Sequence, residues 1–276
     1  MKIGIIGLGW LGEPLGEFLL EKGFDVLGST TSIEKAKLLN EKGINAYPFF
    51  LNPTPEEVQE AIFDVEVLVI NIPPQVRTKP EGFHLLQIKA LRNLIGAAKI
   101  PKVIFISATS VYPDLNQVVS ESDELSLLNT GNRTLLEAEW ILWKEKTYDF
   151  TVIRLGGLLG DDRIPGIHVS NKERVVGHAP VNYIYRQDAI RLIYWIVQND
   201  LWNETYNGVA PFHPLRKEVY EKNARTVGFL PPLSYEYPAI SPGKRVTSDK
   251  ILGTGFTFFH HPLHFPYIFN RSYSRS

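Results

Sequence analysis

Short apolar runs alternate along the chain with stretches whose apolar residues recur every three or four positions, and this alternation predicts the architecture. Residues 2–7 are almost continuously apolar, as in a strand buried on both faces. Residues 11–22 carry helical spacing and stop at Gly23, a residue suited to a helix C-cap. A second short strand over 24–28 and a second helix over 32–42 follow, the latter again stopping at a glycine, Gly43. Residues 46–51 predict a third strand, 55–61 the start of a helix with proline in its first turn, and 65–72 a fourth strand. From 83 to 99 the positions Phe83, Leu86, Ala90, Leu91, Leu94, Ile95 and Ala98 hold the helical period. Strands at 102–106 and 150–155 flank a helix over about 132–146. This βαβα order predicts an α/β fold with a doubly wound parallel sheet.

After Gly156 the pattern changes. Residues 156–183 are rich in glycine and charge with little periodicity, and the remainder carries many Pro, Tyr, Phe and His. The expected organisation is a core over 1–160 and a smaller irregular lobe over 161–276. Within that lobe, 183–207, with a strong helix at 188–198, is expected to pack back on the core. The polar residues 270–276 are expected to fray.

Composition narrows the function classes. Over 276 residues, 44% hydrophobic and 21% charged is the mixture of an ordinary globular protein. A net charge of −1, from 29 basic and 30 acidic residues, leaves no electrostatic footprint for nucleic acid or an acidic membrane surface. The absence of cysteine excludes disulfides, thiolate catalysis and Cys-based zinc sites. It fits a reducing compartment, and the first residues read as a strand rather than a signal peptide, so a cytoplasmic location is expected. No apolar run approaches the roughly 18–20 residues of a membrane helix.

The candidate chemistry begins at Gly7-Leu8-Gly9-Trp10-Leu11-Gly12, a GxGxxG that follows a strand and opens a helix. That is the context of a dinucleotide-binding Rossmann turn. Gly7 permits the tight turn, Gly9 removes a Cβ from the path of a pyrophosphate, and Gly12 lets the helix pack close to the strand. Trp10 and Leu11 complete the loop, and the helix N-terminus offers free N–H groups to phosphates. The plainer reading is a glycine-rich turn without a ligand. The second strand runs out through Gly28-Ser29-Thr30-Thr31-Ser32 with no acid to grip a ribose 2′-OH. Hydroxyls at Ser29, Thr30 and Thr31, with Lys35 following, point to NADP rather than NAD; a serine that only N-caps the next helix is the alternative. Ile72-Pro73-Pro74-Gln75 ends the fourth strand, where a rigid Pro-Pro either walls a cofactor or simply stops the strand.

Several stretches, in one consistent order from residue 1 to about 255, resemble the extended and atypical short-chain dehydrogenase/reductase family, especially its nucleoside-diphosphate-sugar epimerase branch. Lys102 to Tyr112 (KVIFISATSVY) looks like the family's strand ending in SSxxVYG. Leu136-Glu137-Ala138-Glu139 looks like the helix after its catalytic motif, and Arg154 to Gly160 (RLGGLLG) is similar to its RxxxxYG turn. Tyr183 to Ala189 (YIYRQDA) is similar to its IHxxDxA segment, and Lys244 to Leu252 (KRVTSDKIL) to its KRVSNxxL stretch. The resemblance implies a nicotinamide cofactor, Ser107 beside it, and a small nucleotide-sugar-like substrate in a cleft between the lobes. In that family the helices near 83–99 and 132–146 often pair between subunits, so a homodimer is among the expectations.

The departures are equally informative. The family's usual GxxGxxG is replaced by GxGxxG, and its Tyr-x-x-x-Lys pair is missing: no tyrosine is followed by lysine four residues on. Matching on Glu137-Ala138-Glu139 puts Gly131 at the Tyr position and Leu135 at the Lys position, while Ala108 falls at the Ser/Thr position between Ser107 and Thr109. Thr109 and Tyr112 are the substitute catalytic candidates, with Ser110 and Arg133 as polar groups able to meet a substrate. Tyr112 as a packing residue, and Thr109 and Ser110 as turn residues, are the plainer readings. His260, His261 and His264 suggest a metal on paper, but Pro262 breaks the helix that would align them, so no metal site is expected.

Three functions stand at this point. One is an NADP-binding epimerase, dehydratase or reductase. The second is a non-catalytic NADP(H)-binding sensor or regulatory protein, which the missing Tyr and Lys explain directly. The third is a 6-phosphogluconate-dehydrogenase-like reductase, to which GxGxxG and the Pro-Pro loop point and against which the Pro- and Tyr-rich tail argues.

Overall fold

The computed structural model describes residues 1–52, 60–74, 78–144, 146–236 and 243–264. The expected helix at 55–61 falls mostly outside these residues; its last positions belong to a single 3₁₀ turn, Glu60–Phe63. Gln75 and residues 270–276 also lie outside them.

In chain order the elements of the first part are β1 (Lys2–Ile6), α1 (Gly12–Glu21), β2 (Asp25–Thr30), α2 (Ile33–Glu41), β3 (Asn45–Pro48), β4 (Val67–Ile70), α3 (Phe83–Ala98) and β5 (Lys102–Ala108). They continue with β6 (Gln117–Val119), α4 (Arg133–Trp143), β7 (Asp149–Leu155), β8 (Gly157–Leu159), β9 (Val175–Val176), β10 (Tyr183–Tyr185) and α5 (Arg186–Gln198). The last are β11 (Thr205–Gly208), α6 (Arg216–Val227), β12 (Tyr235–Glu236), β13 (Lys244–Val246) and α7 (Asp249–Leu252).

Seven strands form one parallel sheet in the order β11-β7-β5-β4-β1-β2-β3. The chain winds outward in both directions from the β1–β4 pair, so the order reverses there. In open α/β sheets, ligands bind at that reversal, outside the carboxyl ends of the strands. Every residue of β4 is buried, and in β1 only Lys2 is exposed, which is why these runs read as continuous rather than alternating. The expected helix ends hold: α1 and α2 are followed by Gly23 and Gly43 at φ of +83° and +88°. Ser32 caps α2 by accepting from Lys35 N–H at 3.1 Å. Asn132 caps α4 in the same way from Leu135 N–H, so that helix starts one residue later than its polar cap.

Contacts divide the chain into two compact units that interleave in sequence. The first holds 1–111, 125–154 and 192–206. Its core is built from Ile3, Ile5, Val67, Val69, Val103 and Phe105 of the sheet, with Leu15 and Leu19 of α1 and Ile88, Leu91 and Ile95 of α3. Tyr194 of α5 packs edge-on against Phe18 in this unit, with centroids 5.5 Å apart. The second unit holds 112–124, 155–191 and 207–276. It contains three two-stranded parallel ribbons, β8/β10, β9/β12 and β6/β13, and α6, whose Val219, Tyr220 and Ala224 are buried. Among the described residues no helix is long and apolar enough to cross a membrane.

Candidate functional site

Three strand ends of the first unit converge on an open groove of about 340 Å³. Gly7, Leu8 and Gly9 follow β1; Ser29 and Thr30 end β2, with Thr31, Ser32 and Lys35 beyond it; Asn71, Ile72 and Pro73 follow β4. Its volume falls in the range of small-molecule sites, about 300–1,000 Å³. Of the residues expected at a cofactor, Gly7, Gly9, Ser29, Thr30, Thr31, Lys35, Ile72 and Pro73 line the groove. Leu11 and Gly12 are buried behind it at the start of α1, Trp10 lies between, Pro74 lines a second cavity, and Ser107 is buried elsewhere.

The three glycines differ in what demands them. A Cβ on Gly12 would lie 2.1 Å from the carbonyl oxygen of Gly7, so this position is glycine because helix and strand touch. Gly7 has φ of +104°, and a Cβ there would lie 2.6 Å from the Asn71 carbonyl oxygen. Gly9 is exposed, and a Cβ on it would meet nothing within 4 Å. Neither packing nor backbone conformation requires glycine at 9. A Cβ there would extend into the open groove.

Hydrogen bonds hold this loop in shape. Gly7 N–H donates to Ser29 Oγ at 3.1 Å, and Leu8 N–H to the Ser29 carbonyl at 2.7 Å, tying the turn to β2. Asn71 Nδ2 donates to the Gly7 carbonyl at 3.1 Å from the β4 side. Gln87 Nε2, buried on α3, donates to the Leu51 carbonyl at 2.6 Å and closes the far wall. Asn71 and Gln87 escaped sequence reading, since one polar residue at the edge of an apolar run carries no pattern.

Lys35 brings positive charge to the β2 end, but not alone. Its Nζ lies 2.9 Å from Glu13 Oε2, and Lys42 contacts the other oxygen of the same carboxylate at 2.8 Å. Burial pushes the Glu13 carboxyl up, yet the hydrogen bonds from Lys42 and Lys35 outweigh this and hold it below the ordinary range. Among the described residues no carboxylate lines the groove itself.

The remaining candidates are placed as follows. Ser107 Oγ donates to Glu139 Oε1 at 2.6 Å, and Arg154 pairs with the same carboxylate through Nε at 3.1 Å and Nη2 at 2.7 Å. All three are buried, an ion pair that stitches β5 and β7 to α4. Thr109 is buried in the 3₁₀ turn Thr109–Val111, and Ser110 Oγ accepts from Asn132 Nδ2 at 3.2 Å. Tyr112 is fully buried and its hydroxyl donates to Asn207 Oδ1 at 3.0 Å. Gly131 precedes α4, its N–H donating to the Val111 carbonyl, and Leu135 is a core residue. Arg133 is exposed and paired with Glu137 at 2.9 Å. In the second unit, fully buried Asp188 accepts from the backbone of Phe259 and His260 and lies 3.0 Å from His260 Nδ1. Among the described residues no three His, Asp or Glu side chains are placed to hold a metal ion.

Residues 2–124 match the family described as the NAD binding domain of 6-phosphogluconate dehydrogenase. This part of the chain is an NAD-binding Rossmann domain. Over its whole length the fold is instead similar to that of UDP-glucuronic acid 4-epimerase from Bacillus cereus, solved with UDP-glucuronic acid and NAD. The TM-score is 0.76 at 16% identity, over 95% of this chain and 96% of the other. UDP-glucose 4-epimerase from Thermotoga maritima, solved with UDP-glucose, gives 0.75 at 13% identity over 95% of each chain. The 6-phosphogluconate-dehydrogenase likeness thus spans residues 2–124, and the epimerase likeness is one of fold over 95% of the chain. Protein YeeZ of Escherichia coli (strain K12) is 31% identical over 253 residues, 91% of this chain and 92% of YeeZ. At that identity and coverage the likeness is one of family, and the chain belongs to the family of protein YeeZ.

Proposed function

We propose that this chain is an NADP(H)-dependent, atypical member of the short-chain dehydrogenase/reductase family that acts on a small nucleotide-sugar-like substrate. The observation that carries the reading is Gly9: a glycine that neither its backbone conformation nor packing among the described residues requires, facing open space at the sheet reversal. In this reading the N–H groups of the 7–12 loop and the start of α1 hold the pyrophosphate. Thr30, Thr31 and Lys35 receive the 2′-phosphate, and the absence of a carboxylate from the described groove lining favours it over a bare 2′-hydroxyl. Ile72 and Pro73 wall the ring side, and Asn71 keeps the loop in register. The bound nicotinamide supplies hydride transfer. The substrate class rests on the fold shared with epimerases that were solved with UDP-sugars. Packing of α3 beside α4, with Leu86 and Trp140 exposed, makes a homodimer through that face part of the proposal.

A second reading, a non-catalytic NADP(H) sensor, is favoured by one observation. The Tyr112 hydroxyl is engaged with Asn207 inside the protein, and the match on Glu137-Ala138-Glu139 to the resembled family would put Gly131 and Leu135 at its Tyr and Lys positions. Incubation with NADP⁺ and a panel of UDP-sugars, followed through the absorbance of reduced nicotinamide and product chromatography, separates the two. Conversion of any member supports the enzyme. Saturable NADPH binding with no conversion across the panel eliminates the enzyme and leaves the sensor. Failure to bind the cofactor at all eliminates both.

A further inference from the structure

The chain leaving β3 also lines the groove, and there three apolar residues follow one another: Phe49, Phe50 and Leu51. Two of them serve the core. Phe49 is 6% exposed and meets Phe63 edge-on with centroids 6.2 Å apart, and Leu51 is 4% exposed. Phe50, between them, is 40% exposed. A single open apolar side chain is ordinary on a protein surface. This one stands on the wall of a groove, on a backbone fixed from both sides.

Phe49 N–H donates to the Thr30 carbonyl at 2.9 Å, and Asn52 N–H to the Phe50 carbonyl at 3.0 Å. Gln87 Nε2, from α3, donates to the Leu51 carbonyl at 2.6 Å. The Lys79 ammonium lies 5.1 Å from the centroid of the Phe50 ring and 5.0 Å from that of Phe83, so cation–π contacts tie the ring back to the start of α3. Lys79 is not part of the groove lining. The ring is thus held before any ligand arrives, and little freedom is left to lose on binding.

The place of Phe50 in the sheet says what meets it. Pairing of β2 with β3 sets Thr30 opposite Pro48, so Phe50 stands two residues beyond the partner of Thr30. Under the proposed function Thr30, Thr31 and Lys35 receive the phosphate on the adenosine ribose. The base is joined to the ribose carbon next to the one that bears this phosphate, so it too lies near the β2 end. Among the described lining residues the only aromatic rings are those of Phe49 and Phe50, and Phe49 is committed to the core.

We infer that the Phe50 ring is the plate on which the adenine base of the dinucleotide stacks. The inference rests on the dinucleotide reading of the groove and adds to it the residue that holds the base. Stacking reads the flat face of the base and not the 2′ group. Phe50 therefore contributes to the affinity for NADPH and NADH alike, whereas Lys35 separates the two.

The test is calorimetric titration of wild type, Phe50→Ala and Phe50→Tyr with NADPH, NADH and 2′,5′-ADP, the last carrying the base and its ribose phosphates without the nicotinamide. Thermal melts establish that each variant is folded. Phe50→Ala is expected to weaken all three ligands by a common factor of at least about five, the low end of what removing one base–aromatic stack does. Phe50→Tyr, which keeps the ring, is expected to stay within about twofold of wild type. Phe50→Ala that binds like wild type overturns the inference, as does Phe50→Tyr as weak as Phe50→Ala. A loss confined to NADPH, or one absent from 2′,5′-ADP, also overturns it, since the ring would then meet another part of the cofactor. Wild-type protein that binds none of the three removes the dinucleotide reading itself, and this inference with it.

Discussion

Replacing the three glycines of the turn one at a time by alanine separates what the fold needs from what a ligand needs. Ala at 12 would set a Cβ 2.1 Å from the Gly7 carbonyl oxygen, far inside contact distance, against backbone that cannot swing aside as a side chain can. Ala at 7 would force a side chain onto φ of +104° and 2.6 Å from the Asn71 oxygen. Relieving either means shifting α1 or the β4 exit, and overpacking of this kind costs about 1–3 kcal/mol or more. Ala at 9 meets nothing within 4 Å, and Gly9 is not among the glycines with positive φ. Stability of Gly9→Ala is expected to be unchanged or raised by about 0.4–1 kcal/mol through the unfolded chain. Under the proposed function its added methyl nevertheless occupies the pyrophosphate approach. Loss of one charge-assisted hydrogen bond, about 1.5–3 kcal/mol, weakens NADPH at least about tenfold. Urea unfolding and calorimetric titration of the same three variants read both quantities. Gly9→Ala that is as unstable as Gly12→Ala, or that binds NADPH like the wild type, refutes the reasoning.

Other perturbations test separate parts of the structure. Glu139→Gln leaves the buried Arg154 guanidinium without its carboxylate and should cost about 3–5 kcal/mol by urea unfolding; a loss below about 1 kcal/mol would show the pair to be solvated. Glu13→Gln releases Lys35 toward the groove and should tighten NADPH about two- to fivefold while leaving NADH unchanged, measured by tryptophan quenching; equal effects on both would remove Lys35 from 2′-phosphate recognition. Because the folded-state pKa of His84 is depressed from 6.5 to about 4, the unfolded chain binds the extra proton first. Stability is complete above pH 6.5 and falls as pH drops toward and below about 4, by at most about 3.5 kcal/mol from this group; His84→Leu should flatten that limb in pH-dependent melts, and an unaltered limb would mean the ring is not buried neutral. Asp188→Asn weakens the anchor for Phe259 and His260 and should expose the segment around them to limited proteolysis, with wild-type resistance as the contrary result.

The central sheet and the glycine turn were readable because burial on both faces leaves continuous apolar runs, as in β1 and β4, and because glycines at positive φ punctuate the helices between them. The second unit was not. Its ribbons have two or three residues per strand, too few for any period to appear. Helix α6, Arg216–Val227, is polar around most of its circumference and buries only Val219, Tyr220, Asn223 and Ala224, so it was read as irregular chain. Among residues lining the groove, those adjacent in sequence were legible, namely Gly7, Gly9, Ser29 to Thr31 and Pro73. Partners distant in sequence were not: Asn71 on the Gly7 carbonyl, Gln87 on Leu51, and Glu13 on Lys35. Position 35 looked like a free cation because its carboxylate is 22 residues earlier on a different helix.

The central claim, that the groove at the β1–β4 reversal is an NADP(H) site, is tested most directly by calorimetric titration of the wild-type protein with NADPH and with NADH. The account predicts saturable one-to-one binding of both, NADPH the tighter, with heat that disappears in Gly9→Val while the variant stays folded. NADH binding the tighter would contradict the role given to Thr30, Thr31 and Lys35. Binding undiminished in a folded Gly9→Val would contradict the site itself.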